Sequence, residues 1–300
     1  MAVDARYVSV ADLRRAIGTE ALVALGLPRS GLLQTLLRPL VWPPTHRFAH
    51  LAAEFDRRVA LEGLPQAAGW ALSIFVEGHR VSGGDQVPSS GPLVVISNHP
   101  GSYDALLIAS ALGRNDLKIP ASDVPFLRSL TATASHLIYT DTGPNAHARM
   151  ATARQSIRHL QEGGALLLFA SGQVDPDPAF LPGVREELQR WSPSVSLFLR
   201  QVPETLSLVT IVSGVLSPSC FHHPLTRIRK EQRLKQFLAE FIQISQQLLF
   251  GRRFGLVPMV QFAKPLQTVQ LDGGRDPQAV KAILIEEAEK LLTALEEGKD

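Results

Sequence analysis

This sequence contains very little cysteine and almost no excess of positive over negative charge. Cys220 is the one cysteine among 300 residues, so an intrachain disulfide and a cysteine-based metal cluster are excluded. A single cysteine is consistent with a protein of a reducing compartment. Lys and Arg number 30 against 28 Asp and Glu, which gives a formal net charge of +2. The chain therefore lacks the basic excess by which nucleic-acid-binding proteins hold phosphates, and we expect no nucleic-acid partner.

The sequence also lacks a hydrophobic run that could form a transmembrane helix. Its longest uncharged stretches, Thr205–Thr226 and Gln86–Tyr103, are interrupted by Ser, Gly and Pro, whereas a spanning helix needs about 20 mostly apolar residues. The N-terminal sequence MAVDARYVSVADLRRAI contains acids and no apolar core, so it does not resemble a secretory signal. We expect a cytoplasmic protein, at most peripheral on the inner face of a membrane.

Acidic residues are absent between Glu20 and Glu54, where Arg29, Arg38 and Arg47 lie in apolar sequence. Basic residues in an apolar segment that contains tryptophan are typical of a helix at a membrane interface. The same pattern fits a helical cap that packs on the core with its arginines at the solvent edge. We therefore predict an N-terminal helical segment over residues 1–70, of either kind, and an α/β domain over residues 71–300.

From about Trp70 onward, short apolar runs alternate with helical periods. The predicted strands are Leu93–Ile96, Leu137–Tyr139, Ala165–Phe169, Leu206–Val212 and Val257–Phe262. The predicted helices include Ala146–Glu162, with Met150, Ala153, Ile157 and Leu160 facing inward, and Asp276–Glu297. This alternation predicts an α/β fold with a largely parallel central sheet flanked by helices.

A further predicted helix, Thr226–Phe250, begins with a cluster of cations. Its first part contains Arg227, Arg229, Lys230, Arg233 and Lys235 against the single acid Glu231. Such a run is usually a solvated helix face, and the alternative is a surface for a membrane or an anionic ligand.

The stretch LVVISNHPGSYDALLIASAL contains the chemically informative motif. An apolar strand ends at Ser97, and a short polar turn with a Pro-Gly pair leads into an apolar helix. Ligands of α/β sheets are usually bound at this end of a strand. The turn can bring His99 and Asp104 together, so that the carboxylate holds one ring nitrogen and leaves the other as a general base. Alternatively, Asp104 only stabilises the helix N-terminus.

With its Asn-His-x4-Asp pattern after a buried strand, the sequence resembles the glycerolipid acyltransferase family, the enzymes of phospholipid biosynthesis that carry an NHx4D box. The resemblance extends from about Phe75 to the C-terminus through landmarks in the family's order. These are VEGHRV, LKIPASDVPFLRSL, HLIYTDT at the second box, LLLFASGQVDPDPAFLPGV at the third, SLVTIVSGVL and VQFAKPL.

The resemblance implies transfer of a fatty acyl group from a thioester of coenzyme A or acyl carrier protein to a hydroxyl of a lipid or glycerolipid-like acceptor. His99 would take the hydroxyl proton and Asp104 would orient His99. Backbone N–H groups around Gly172 would stabilise the oxyanion. No metal and no cofactor beyond the thioester co-substrate is expected, and the expected partners are this donor, the lipid acceptor and a membrane surface.

The sequence departs from the family in the boxes that recognise the acceptor. The family's second box usually ends in an arginine that contacts the acceptor phosphate, and Thr142 stands there. Ser171 stands at the glutamate of the third box, and Leu181 replaces a basic residue before a Pro-Gly pair. Neutral side chains cannot replace the bidentate arginine–phosphate interaction.

Two explanations of these departures remain open. Arg149, Arg154 or Arg185 could supply the missing charge. Alternatively, the acceptor is not a glycerol phosphate, which we favour. In that case Gly172, Gln173 and Asp175 would shape the acceptor pocket. With Ser102 and Arg149, they are the candidate acceptor-binding residues. A thioester hydrolase and a non-catalytic lipid-binding protein are the alternative functions.

Overall fold

The computed structural model describes residues 9–24, 31–101, 103–140 and 146–298, which form a seven-stranded sheet flanked by helices. The strands are β1 (Arg80–Ser82), β2 (Leu93–Ser97), β3 (Leu117–Ser122), β4 (Leu137–Thr140), β5 (Ala165–Phe169), β6 (Leu206–Ser213) and β7 (Met259–Phe262). They lie in the order β1-β7-β6-β2-β5-β3-β4. Strands β2 to β6 are parallel, β7 is antiparallel to β6, and β1 is parallel to β7. The predicted α/β fold with a largely parallel sheet is confirmed.

Helices precede, separate and follow these strands. They are α1 (Val10–Ala24), α2 (Leu32–Glu62), α3 (Leu64–Phe75), α4 (Asp104–Leu112), α5 (Pro125–Ser129), α6 (Thr131–Ala134), α7 (Ala146–Gln161), α8 (Val184–Leu188), α9 (Val195–Gln201), α10 (Pro218–Phe221), α11 (Gln232–Phe250) and α12 (Pro277–Glu297). Short 3₁₀ helices cover Gly84–Gln86, Pro224–Ile228 and Thr268–Gly274. Within the described residues, no helix combines the length and the apolar character needed to cross a bilayer.

The central strand β2 is buried on both faces because helices cover both sides of the sheet. Leu93 and Val95 face the layer that contains α3 and α4, and Val94 and Ile96 face the layer that contains α9 and α12. All five residues of β2 are buried, which matches the continuous apolar run of a strand with two covered faces. The carboxyl end of β2 is therefore held rigidly between its neighbours β5 and β6.

The predicted elements agree closely with the observed ones along most of the chain, with three corrections. The strands β1 and β3 were not predicted, since β1 is exposed and β3 contains Pro120. The basic helix begins at Gln232, six residues later than predicted, after the 3₁₀ turn Pro224–Ile228. Met150 does not face inward: it is 53% exposed on α7.

The N-terminal helices form a small layer of their own that reaches the main core. Leu13 and Ile17 of α1 pack against Ala49 and Ala52 of α2, and the backbone N–H of Thr133 donates to Asp56 of α2 at 2.7 Å. The predicted division after residue 70 lies inside α3, whose buried face belongs to the main core. The division into two segments stays a prediction.

Candidate active site

The turn after β2 is fixed to the neighbouring strand by Asn98. Its side-chain amide donates to the carbonyl of Val212 at 2.9 Å, and its side-chain oxygen accepts from the Val212 N–H at 2.8 Å. Asn98 is almost fully buried, so it replaces the backbone pairing that ends where β2 ends. The residue that follows, His99, is thereby held at the carboxyl edge of the sheet.

His99 and Asp104 face each other across this turn. The Nδ1 atom of His99 lies 2.6 Å from Oδ2 of Asp104, and the ring remains 30% exposed. Asp104 is 1% exposed and also accepts from the backbone N–H groups of Gly101 and Ala105. Three donors therefore orient one carboxylate, which fixes the Nδ1–H tautomer and leaves Nε2 as the outward nitrogen.

Asp175, from the loop after β5, holds the backbone of His99 from the opposite side. The His99 N–H donates to the Asp175 carboxylate at 2.9 Å, and the Asp175 N–H donates to the His99 carbonyl at 2.8 Å. The aromatic ring of Phe169 stacks on the imidazole, with the ring centroids 4.2 Å apart. The imidazole is thus restrained by its side chain, its backbone and one face of its ring.

The electrostatics of this site favour the charged imidazole. Burial disfavours the positive charge, but the charge and hydrogen bond of Asp104, with the charges of Glu240 and Asp175, outweigh it and raise the pKa of His99 to about 9. Burial is also the main reason that the pKa of Asp175 lies above its usual range, although hydrogen bonds and the charge of His99 act against it.

Helix α11 supports the turn through a line of buried amide side chains. Gln236 donates to the carbonyls of Pro100 and Asp175, at 2.7 and 2.9 Å. Glu240, one turn further along, lies beside Gly101, where an added Cβ would come within 3.1 Å of the carboxyl group. Further along, Gln243 and Gln247 contact the hydroxyl of Tyr103. Through these side chains, α11 is joined to the turn after β2 and to the start of α4.

The loop of the third box is anchored to the protein by a buried carboxylate. Asp177 is fully buried and accepts from the N–H groups of Ala179, Gly214 and Leu216, and its burial raises its pKa despite these bonds. Gly172 has a φ of 68°, in the left-handed region that suits glycine. Its N–H donates to the Phe169 carbonyl, so this amide is engaged in the turn and is not aimed at a substrate.

The structure separates the other predicted acceptor-binding residues. Gln173 is exposed and contacts Arg233, which also donates to the Val174 carbonyl at 3.0 Å and lies 3.6 Å from Glu187. Arg185 is bound instead to Glu296 of α12, at 2.9 Å.

Four positions considered in the sequence remain without support from the described contacts. Arg149 and Arg154 are exposed on α7. Ser102 and Thr142 lie outside the described residues.

An apolar cavity of about 390 Å³ lies beside the turn after β2. It is lined by residues of α2, α3, α4, α5, α6 and α11, among others, and it includes the side chains on either side of Asp104. Its lining includes Phe48, Leu51, Phe55, Phe75, Tyr103, Ala105, Leu106, Phe126, Leu127 and Ile244. A cavity of this size and character suits a hydrocarbon chain.

Sequence reasoning missed several residues that hold the site. Asn98, Asp177, Gln236 and Glu240 act on residues far away in sequence. Asn98 was recognised only as part of the motif, and Gln236 and Glu240 have one available signal: they continue the spacing of polar residues along a predicted helix. That spacing normally indicates a solvent-facing surface, and here it indicates a buried one.

Comparison with known proteins gives a matching family model and a similar solved structure. Residues 78–189 match the family model described as Acyltransferase, and this range contains the motif and the two boxes after it. No curated protein matches. The chain is similar to the crystal structure of the 1-acyl-sn-glycerophosphate (LPA) acyltransferase PlsC from Thermotoga maritima, with 15% identity over 97% of this chain and 98% of that one, and a TM-score of 0.44.

Proposed function

We propose that this chain, whose residues 78–189 match the acyltransferase family model, transfers a fatty acyl group from a thioester of coenzyme A or acyl carrier protein to a hydroxyl of a lipid acceptor. The observation that carries this proposal is the 2.6 Å contact between His99 and Asp104 at the carboxyl edge of a parallel sheet. A partly exposed imidazole that a buried carboxylate orients is the arrangement of a general base.

In the proposed reaction, Nε2 of His99 takes the proton of the acceptor hydroxyl while the oxygen attacks the thioester carbonyl. The tetrahedral intermediate then collapses: the carbon–sulfur bond breaks, the ester bond remains, and the imidazolium returns the proton to the leaving thiolate. Asp104 stabilises the imidazolium throughout. General-base assistance of this kind contributes about 10²–10⁴ in rate.

The proposed site of the acyl chain is the apolar cavity beside α4. Tyr103 and Ala105, on either side of Asp104, belong to its lining, so a chain in the cavity would end near the imidazole. Transfer of an apolar chain from water into such a cavity is favourable by about 0.8 kcal/mol for each buried methylene. This supports a long-chain acyl donor.

The proposed acceptor is a lipid alcohol whose recognition does not depend on arginines in the second and third boxes. Arg233 contacts the third-box loop, and its charge is shared with Glu187 at 3.6 Å. Asp175 and Glu240 add negative charge beside His99. A strongly anionic headgroup next to the reacting hydroxyl would be repelled there.

The proposed location is peripheral, on the cytoplasmic face of a membrane. Leu32, Leu36 and Trp42 on the first half of α2 are 79%, 65% and 48% exposed, and Arg38 lies between them in sequence. Large apolar side chains beside a cation are typical of an interfacial helix. Replacing Leu32 and Leu36 by serine should reduce sedimentation with vesicles.

The test of the chemistry is the variant His99→Ala. We expect kcat for ester formation from a long-chain acyl thioester and a lipid alcohol to fall about 10²–10⁴-fold, with the folded state unchanged by circular dichroism. His79→Ala, at an exposed histidine, is the matched control and should keep full activity. Full activity in His99→Ala would refute the mechanism, and accumulation of free acid instead of ester would make the protein a thioester hydrolase.

A further inference from the structure

Four large apolar side chains are exposed at the start of α11 and in the 3₁₀ turn before it. Leu225 is 58% exposed, Ile228 71%, Leu234 43% and Phe237 40%. They fall within 13 consecutive residues, whereas exposed apolar residues that need no explanation are scattered singly. Their concentration calls for an apolar environment that covers them.

Cations are interleaved with these apolar side chains. Arg227 and Lys230 are exposed, and Lys235 is half-buried, with its ammonium group 4.1 Å from the centre of the Phe221 ring. Within the described part of the chain, none of these three cations forms a salt bridge. The single acid of the segment is Glu231. The surface therefore joins apolar side chains to positive charge that the protein does not neutralise.

This surface is connected through α11 to the turn after β2, which contains His99 and Pro100. Gln236, between Lys235 and Phe237 in sequence, donates to the carbonyl of Pro100 at 2.7 Å. Pro100 follows His99 directly. Part of this exposed surface and the buried Gln236 therefore belong to the same first turns of α11, so a partner that covers the surface binds the helix that holds this turn.

We propose that this basic-apolar patch, formed by Leu225, Arg227, Ile228, Lys230, Leu234, Lys235 and Phe237, docks on an anionic lipid bilayer. The apolar side chains would enter the headgroup–acyl boundary, and the cations would contact anionic headgroups. Docking through this patch would hold α11, and with it the turn after β2, at the membrane from which a lipid substrate arrives. The patch is separate from the exposed apolar residues of α2, so the two surfaces can be tested independently.

An acidic carrier protein is the competing partner, because it also requires cations. Contacts of that kind depend on charge and do not require four large exposed apolar side chains within one short segment. A bilayer uses both components, and the observations favour it for that reason.

The experiment measures binding of the full-length chain to vesicles of phosphatidylcholine, with and without about 30% phosphatidylglycerol. Arg227→Gln with Lys230→Gln should weaken binding to the anionic vesicles about 25-fold, about 5-fold for each lost cation. Ile228→Ser with Phe237→Ser should weaken binding to both kinds of vesicle about 10-fold or more.

Matched controls carry the same changes on exposed residues elsewhere. Val269, which is 77% exposed, is replaced by serine, and the exposed Lys264 and Arg275 are replaced by glutamine. These variants should bind vesicles like the unmodified chain. Unchanged binding in the patch variants, or equal losses in the controls, would overturn the proposal.

Two further measurements separate this proposal from its rivals. His99→Ala should bind vesicles like the unmodified chain, so docking is testable even if the proposed chemistry fails. Patch variants should keep their activity toward a short-chain thioester and a soluble alcohol in the absence of vesicles. If the patch variants instead lose activity only with an acyl carrier protein donor and keep their vesicle binding, the patch docks the donor and the membrane assignment is wrong.

Discussion

His99 is positively charged at neutral pH in the resting protein, because nearby carboxylates raise its pKa to about 9. A charged imidazole cannot accept a proton, so the proposed base must first lose one. The same carboxylates stabilise the imidazolium after it forms. The site therefore gains a stabilised intermediate at the cost of a smaller fraction of active base at neutral pH.

We expect kcat/KM for acyl transfer to rise with pH, with the midpoint of the rise at about pH 9. The raised pKa moves the midpoint of the neutral form upward from 6.5, and kcat/KM reports the ionisation of the free enzyme. Rates from about pH 6 to about pH 10 test this. Glu240→Gln should shift the rise to lower pH, whereas Glu297→Gln, at an exposed position on α12, should not. A midpoint near 6.5 in the unmodified enzyme would contradict the prediction.

The contact of His99 with Asp104 could be predicted from sequence because a short turn determines it. Only four residues lie between them in the sequence, and the Pro-Gly pair limits the paths of this turn. The contact of His99 with Asp175 spans 76 residues. It depends on β2 and β5 being neighbours, and no local pattern specifies that pairing.

Among the elements, α11 shows how far a periodic pattern can be interpreted. The sequence predicts this helix, but amphipathic patterning assigns glutamine to the solvent side. Gln236, Gln243 and Gln247 are instead 1%, 1% and 4% exposed. They face inward because the turns that they bind have carbonyl and N–H groups that no strand or helix satisfies. The sequence of the helix does not show which carbonyl and N–H groups of distant loops need a hydrogen-bond partner.

Gln243→Ala should lower the free energy of unfolding by about 2–4 kcal/mol. Its amide donates to the Val215 carbonyl at 2.9 Å and accepts from the Ser217 N–H at 2.6 Å, and the variant leaves both buried groups unpaired. Gln246→Ala, on the more exposed side of α11, should change the free energy by less than about 0.5 kcal/mol. Urea unfolding measures both. Equal effects would show that the buried amides are not what stabilises these loops.

At the scale of the whole molecule, the apolar cavity lies between the N-terminal helices and the turn after β2. Phe48 and Phe55 of α2 form one wall, and Ala105 of α4 lies on the other. The sequence predicted an N-terminal helical segment that either caps the core or meets a membrane. The second half of α2 lines the cavity, and the first half exposes Leu32 and Leu36, so the structure contains the elements of both alternatives. The sequence pattern alone could not show that α2 has both roles, because the apolar side chains are exposed in its first half and line the cavity in its second half.

Ala105→Leu should shorten the space available to an acyl chain. We expect kcat/KM to fall about 4- to 15-fold for a long-chain thioester relative to a short-chain one, because one or two displaced methylenes each contribute about 0.8 kcal/mol. Ser129→Leu adds the same side chain at an exposed position of α5 and should leave the chain-length preference unchanged. The measurement is a competition between donors of different length. An unchanged preference in Ala105→Leu would place the acyl chain elsewhere.

The turn after β2 is held by hydrogen bonds from α11, and this has a consequence for biosynthesis. Gln236, which binds Pro100 and Asp175, is 136 residues beyond Pro100 in the chain. A growing polypeptide that has emerged only as far as β6 contains the histidine, its aspartate and the central strands, but not the helix that secures them. The ribosome must therefore release the polypeptide at least as far as Phe250, where α11 ends, before this turn is secured.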